Sequence, residues 1–370
     1  MTWADERARF PVLERHAYLN AGTFGPLSRG MLDAMAAVRA WEAKHGRAGN
    51  EYYDGMWERR DSVRALLAAQ IGVEPAQVAL TASTTQSVHV VVTGLRLGAE
   101  DEVVTTDAEH FGLAGPLVAS GAQLRIARVR DLPAADVFDA VRALVTPRTR
   151  LLALSAVSWI DGKLMPWREL ADQTGLPVLV DGAQSVGALA VDASAADFYT
   201  VSCQKWLCGP DATGALFVRE PEKLESRLLA YPGAASYDIA AGTWQPKPGA
   251  ARFDPIFMPV SSLAGLEAAL GELPDGRFER ARELTERCRE LLLEAGEDVV
   301  TEPGQGTLVA FRARGDAAEI SAALHARGVV LRDLPGTDLL RTSVGWWNDE
   351  GDLERLVDAL QARALVSLRD

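Results

Sequence analysis

Cysteine, lysine and long apolar runs are all scarce in this chain, and each scarcity removes a class of answers. Its 370 residues hold three cysteines, Cys203, Cys208 and Cys288. That odd number gives no disulfide framework, and C-x4-C without a second pair is a poor zinc signal. The five histidines (His16, His45, His89, His110, His325) are scattered without ligand spacing, so no metal site is expected. The longest apolar runs, "VHVVVTGL" and "RLLALSAV", fall far short of the ~20 residues that cross a bilayer. The opening "MTWADERARFPVLERH" is charged and has no apolar signal core, so a soluble cytoplasmic protein is expected. A net charge of −13 with no basic cluster argues against nucleic acid or an anionic membrane as partner. No G-x-G-x-x-G follows an early strand, which places a dinucleotide-dependent dehydrogenase low.

What is present is ample apolar material, 48% of residues, enough for a large core and more than one domain. From about residue 77 short β-rich runs alternate with helical patterns: "QVALT", "DEVVTT", "QLRIARV", "RLLALSAV", "PVLVDGA". These runs are nearly continuously apolar, as in a parallel sheet covered on both faces. The expectation is an α/β fold, a doubly wound, mainly parallel sheet in a large domain over 21–257. A smaller α+β domain takes 1–20 and 258–370. Residues 231–257, rich in Gly, Pro and Ala, read as a long loop.

The stretch "VSCQKWLCGP" places Lys205, one of only five lysines against 33 arginines, straight after an apolar strand. Asp181 ends another such strand, 24 residues earlier. The carboxyl edges of neighbouring parallel strands face one crevice, where doubly wound sheets bind ligands. A carboxylate and a buried lysine there make either a structural ion pair or the two anchors of pyridoxal phosphate (PLP). The aldehyde of PLP needs an amine, and its ring nitrogen needs an acid. "LTASTTQSV" puts Thr84 and Thr85 at a helix N-terminus, which suits a phosphate or is an ordinary cap. His110 follows the next strand and offers a flat ring, or is an idle loop histidine. Arg341 lies in a β-rich run, where it either grips a carboxylate bidentately or pairs with Asp338.

Taken together, "YLNAGTFGP", "TTQS", "EH", "VDGAQSVGALAVD", "DFYTVSCQKWLCGPDATGALFVRE" and "LLRTSVGWWND" resemble the class V aminotransferase and cysteine desulfurase-like family of fold type I PLP enzymes. The resemblance spans nearly the whole chain. It implies that Lys205 holds PLP as a Schiff base and moves the substrate Cα proton, and that Asp181 pairs with the ring nitrogen. Gln184 then meets the phenolic oxygen and His110 stacks on the ring. Thr84, Thr85, Ser202 and Gln204 surround the phosphate, and Arg341, Asn20 and Trp159 contact the amino-acid substrate. A homodimer is implied as well.

Four departures bear on the reaction. Gln204 stands where the family usually has a histidine, and Trp159 where desulfurases usually carry an asparagine. "RFDPIF" replaces a motif whose Gly-Thr reaches the partner's phosphate. The segment before Arg341, "LRDLPGTDLLR", is short and lacks the mobile cysteine of a desulfurase. The expected activity is therefore that of the non-desulfurase branch, epimerase-like or C–S lyase-like, with β-elimination favoured. Transamination or epimerisation is the alternative; a cysteine desulfurase or a silent cofactor-binding protein ranks below these.

Overall fold

The computed structural model describes residues 2–367. In chain order the opening elements are α1 (Trp3–Arg7), β1 (Ala17–Tyr18), α2 (Arg29–His45) and α3 (Asn50–Gln70). The large domain continues with β2 (Val78–Thr81), α4 (Thr84–Gly94), β3 (Glu102–Thr106), α5 (Phe111–Ala119), β4 (Gln123–Ala127) and α6 (Val137–Arg142). It then adds β5 (Thr149–Ser155), α7 (Trp167–Thr174), β6 (Val178–Asp181), β7 (Phe198–Ser202) and β8 (Gly214–Val218). A hairpin of β9 (Ala234–Asp238) and β10 (Thr243–Pro246) precedes α8 (Val260–Gly271) and α9 (Arg277–Glu294). The chain closes with β11 (Leu308–Arg312), α10 (Ala317–Ala326), β12 (Val329–Val330), β13 (Arg332–Asp333), β14 (Leu339–Ser343) and α11 (Glu350–Ser367).

Seven strands form the central sheet in the order β2-β8-β7-β6-β5-β3-β4, and only β8 runs against the rest. The inner strands are buried on both faces. Val180, Val201 and Phe217 face one apolar cluster, while Leu179, Phe198 and Leu216 face another. That two-sided burial is why these segments read as apolar runs rather than alternations. The β4 edge, half-exposed, alternates more. Helix α4 starts at Thr84 because Ser83 caps it, its hydroxyl accepting from the Gln86 amide; such a cap contributes about 1 kcal/mol. Helix α7 stops at Gly175, which takes the left-handed conformation at φ 64°.

The second domain gathers β11, β14 and β13 into an antiparallel sheet under α9, α10 and α11. The N-terminus crosses to it: β1 pairs in parallel with β12, and Ala17 and Leu19 enter its core. Helix α8 sends Leu263, Leu266 and Leu270 into the core cluster that holds Leu67 and Val201. One expectation changes. Residues 231–257 are not a structureless loop but carry the β9–β10 hairpin. Both faces of that hairpin are largely exposed, so it leaves no alternating pattern to read.

No helix among the described residues is long and apolar enough to cross a membrane.

Candidate active site

The carboxyl edge of the sheet is where Asp181 (end of β6), Ser202 (end of β7) and Ser155 (end of β5) emerge side by side. A cavity of about 140 Å³ opens there, bounded by these residues and by Thr84, Thr85, His110, Trp159, Gln184, Gln204 and Lys205. The two residues 24 apart in sequence thus share one crevice, as the strand-end argument requires.

Lys205 follows β7 on a turn held against the segment Asn20–Gly25. The Gly25 amide donates to the Gln204 carbonyl at 2.8 Å. A Cβ on Gly25 would fall 2.0 Å from the Lys205 carbonyl oxygen, so only glycine lets these two backbones touch. Burial pushes the Lys205 amine down to about 8, against the opposing pull of the Asp181 charge; Arg341 and Arg332 push the same way as burial. No carboxylate lies within ion-pair distance of Lys205 among the described residues, so the structural ion-pair alternative falls away.

Asp181 is buried, and its Oδ1 accepts from the Ala183 amide at 2.9 Å and the Thr200 hydroxyl at 3.4 Å. Its Oδ2 takes no hydrogen bond from the described residues. Gln184 is locked by two contacts: its Nε2 donates to the Gly22 carbonyl at 2.8 Å, and its Oε1 accepts from the Trp206 indole at 2.9 Å. One amide hydrogen remains uncommitted. His110 caps α5, its Nδ1 accepting from the Gly112 amide at 3.0 Å, which places the ring proton on Nε2. Burial, then the Lys205 charge, lower its pKa against the pull of Asp181, which favours the neutral ring. Its ring meets Trp159 edge-on, with centroids 5.2 Å apart.

The phosphate-sized end of the cavity is built from the first turn of α4. Thr84 Oγ1 shares hydrogen bonds with Ser202 Oγ at 3.0 Å and Thr200 Oγ1 at 3.3 Å. The Thr84 and Thr85 amides have no partner among the described residues, and they point along the helix dipole's positive end. Gln204 Oε1 is buried there without a partner. An unpaired amine, a carboxylate with one free oxygen, a neutral flat ring and a helix N-terminus are the parts PLP requires, and they fit it in number and kind.

The substrate side is less complete. Arg341 is only 2% exposed; its Nη1 donates to the Trp159 carbonyl and its Nε has no partner. Asp338 pairs with Arg312 at 3.0 Å and not with Arg341. Burial, then neighbouring Arg332, push the Arg341 guanidinium down to about 9. Arg332 is the residue that sequence reasoning missed. It lies directly opposite Arg341 in the β13–β14 pairing and also acts on Lys205 and His110. Its signal was the arginine nine residues before Arg341, invisible without knowing that a hairpin folds one onto the other. Neither Asn20 nor Arg341 lines the cavity itself. Asn20 bridges to Ser343, and its Oδ1 accepts from Thr23 at 2.8 Å, closing its own turn.

All three thiols are buried, and burial pushes Cys203 and Cys288 up to about 12 and Cys208 further still. Among the described residues no group of three or more His, Cys, Asp and Glu could hold a metal ion.

Isopenicillin N epimerase of Streptomyces clavuligerus is 30% identical over 396 residues, covering 97% of this chain and 98% of its own. A cysteine desulfurase of Haloferax volcanii is 31% identical over 82% of this chain and 78% of its own. The solved complex of the cystine C–S lyase C-DES with its product cysteine persulfide matches at TM-score 0.87 and 25% identity, over 95% of this chain and 98% of that one. A C-DES lysine-to-alanine mutant with glycine covalently linked to the PLP cofactor reaches TM-score 0.89 at 24% identity, covering 96% and 98% of the two chains. The architecture is that of fold type I PLP enzymes. Residues 27–356 match the family model for aminotransferase class-V, and the chain belongs to that family.

Proposed function

We propose that this protein is a PLP-dependent enzyme that acts on an α-amino acid and cleaves a C–S bond by β-elimination without a thiol of its own. The observation that carries the reading is the convergence of Lys205, Asp181, His110 and the α4 N-terminus on one cavity. Bound PLP supplies the electron sink that acidifies the substrate Cα–H. Asp181, with Oδ2 free, keeps a proton on the ring nitrogen. The Thr84 and Thr85 amides with Ser202 hold the phosphate, and the remaining Gln184 hydrogen serves the phenolic oxygen. Arg341, with Arg332 beside it, binds the substrate carboxylate. Lys205, neutral above about pH 8, takes the Cα proton.

For a substrate R–S–CH2–CH(NH3+)–COO−, loss of the Cα proton and the RS− group followed by addition of water gives RSH, pyruvate and ammonium. The buried, high-pKa thiols support this route over attack by an enzyme cysteine, which needs a reachable thiolate. Epimerisation is the second reading, favoured by the near full-length match to isopenicillin N epimerase. It differs only in that Lys205 or a facing group returns the proton to the opposite face. A panel of β-thio amino acids separates these outcomes. Thiol, pyruvate and ammonia mean elimination, loss of optical activity without ammonia means epimerisation, and alanine with a protein persulfide refutes both.

A second copy of the chain is the expected partner. Phe111 (80% exposed) on α5, Ile239 (82%) and Tyr237 in the β9–β10 hairpin, and Tyr231 just before it, are exposed apolar or aromatic side chains that support this reading. Sedimentation at assay concentration tests it, and an active monomer refutes it.

A further inference from the structure

Trp206 stands next to the cavity lysine yet does not line the cavity. It is 1% exposed and packs with Phe10, Leu308, Trp346 and Trp347, its ring centroid 6.3 Å from that of Trp347. Of the three indoles buried in this cluster, those of Trp346 and Trp347 leave their N–H groups without a partner among the described residues. Packing here therefore does not oblige an indole to find an acceptor. The Trp206 N–H nonetheless donates to Gln184 Oε1 at 2.9 Å, and Gln184 does line the cavity. Backbone holds the two residues together as well. Gly187, at φ 91°, brings the turn that carries Gln184 onto the Trp206 backbone, and a Cβ there would fall 2.7 Å from the Trp206 carbonyl carbon.

A glutamine amide offers an oxygen at one end and two hydrogens at the other, so what it does depends on which end faces a ligand. An indole N–H can only donate, and a carbonyl can only accept. With Trp206 on Oε1 and the Gly22 carbonyl on Nε2 at 2.8 Å, the amide is fixed at both ends and one hydrogen is left over. We propose that Trp206 is a positioning residue: its N–H anchors the Gln184 oxygen so that the remaining amide hydrogen is presented to the phenolic oxygen of the cofactor. The proposal rests on reading the cavity as the PLP site. Without the indole the amide is free to turn about its single bond to Gly22, and its oxygen is left buried and unpaired. A hydrogen held on the phenolic oxygen draws off negative charge, which lets the neighbouring proton on the Lys205 nitrogen leave at lower pH.

The test is a spectroscopic pH titration of the PLP-loaded protein. Trp206→Phe should raise the midpoint of the visible absorption change by about half to one unit, the worth of one hydrogen bond. Gln184→Leu should raise it as far or further. The double variant should go no further than Gln184→Leu, since both changes act through one hydrogen. If Trp206→Phe fails to fold, replacing Trp206 by benzothienylalanine, which exchanges only the N–H for sulfur, decides. A midpoint unmoved by loss of the N–H overturns the proposal, because a purely structural Trp206 lowers the melting temperature alone. Shifts that add in the double variant overturn it too. The contact itself is read without cofactor. In tryptophan-labelled apoprotein the Trp206 indole proton resonance, identified by its loss in the Trp206 variant, should move upfield in Gln184→Leu. An unmoved resonance overturns the bond and the proposal with it. A protein that takes up no PLP while that resonance moves would instead break the reading of the cavity.

Discussion

Two sets of cations in this molecule are treated in opposite ways. On α3, Arg60 and Arg64 both close on Asp254, at 2.7 and 2.9 Å, and the same carboxylate also accepts from the Leu80 amide at 2.8 Å. Lys205 in the cavity and Arg341 and Arg332 behind it lie within one another's field, and among the described residues none of the three has a carboxylate within ion-pair distance. The first set is complete and fastens α3 and the 249–254 turn to the edge strand β2. The second set is left incomplete by the fold itself, and it becomes balanced only by something that enters. An unmatched buried charge is costly to keep, so its persistence marks a binding site more reliably than the residue type does.

The comparison breaks most sharply at Lys205. Lys205→Ala should lower turnover by about 10²–10⁴-fold or more, as loss of a general base does. It should leave the thermal unfolding of the cofactor-free protein unchanged or raised, because an unpaired buried charge is gone. A lower melting temperature with normal turnover would assign Lys205 to structure. Asp254→Asn should do the reverse. It strands two arginines and costs about 3–5 kcal/mol of stability, while activity per folded molecule persists. Denaturant titration alongside active-site counting measures both quantities on one sample.

Arg341→Lys sharpens the contrast further. A lysine keeps the charge but not the fork, so kcat/KM should drop about 10–100-fold, mostly through KM, with stability little changed. Steady-state kinetics on the best amino acid of the panel decide it. A smaller effect concerns pH. The folded Lys205 releases its proton at about 8, whereas the unfolded chain holds it to the ordinary 10.5. Between these values the unfolded state binds more protons, so the cofactor-free protein should gain stability as pH rises from about 8 to 10.5. Below about pH 8 this contribution is constant, and Lys205→Met should abolish the slope. PLP capture should quicken over the same rise through about 8, since only the neutral amine reacts. The smallest effect on turnover is expected from replacing Cys203, Cys208 and Cys288 together by Ala. These buried thiols pack rather than react, so rates should stay within a few-fold.

Much of the cofactor end of the site was legible in the chain. Asp181 and Ser202 end adjacent strands and Lys205 sits on the turn just after the second, and strand ends can be read from where an apolar run stops. Thr84 and Thr85 follow the same logic, since Ser83 caps a helix straight after a strand. The substrate end was legible only in part. Arg332 acquires its meaning from facing Arg341 across a hairpin, and the Asn20 side-chain oxygen is engaged by a turn with Thr23. Trp206 was passed over beside the lysine, because its hydrogen bond goes to a turn 22 residues away that no local pattern connects to it. The hairpin at 234–246 was missed for the opposite reason: exposed on both faces, it carries no periodicity.

Local physics was thus sufficient for the parallel sheet, its order of helices and strands, and the lysine–aspartate pair, because apolar burial and strand direction leave their marks residue by residue. The third dimension alone settled which core α8 packs into, that Asp338 turns to Arg312 rather than Arg341, and that two arginines and a lysine share one field. Those outcomes depend on pairings between residues far apart in the chain, and the energy of a charge is set by whatever stands beside it, which the sequence does not record.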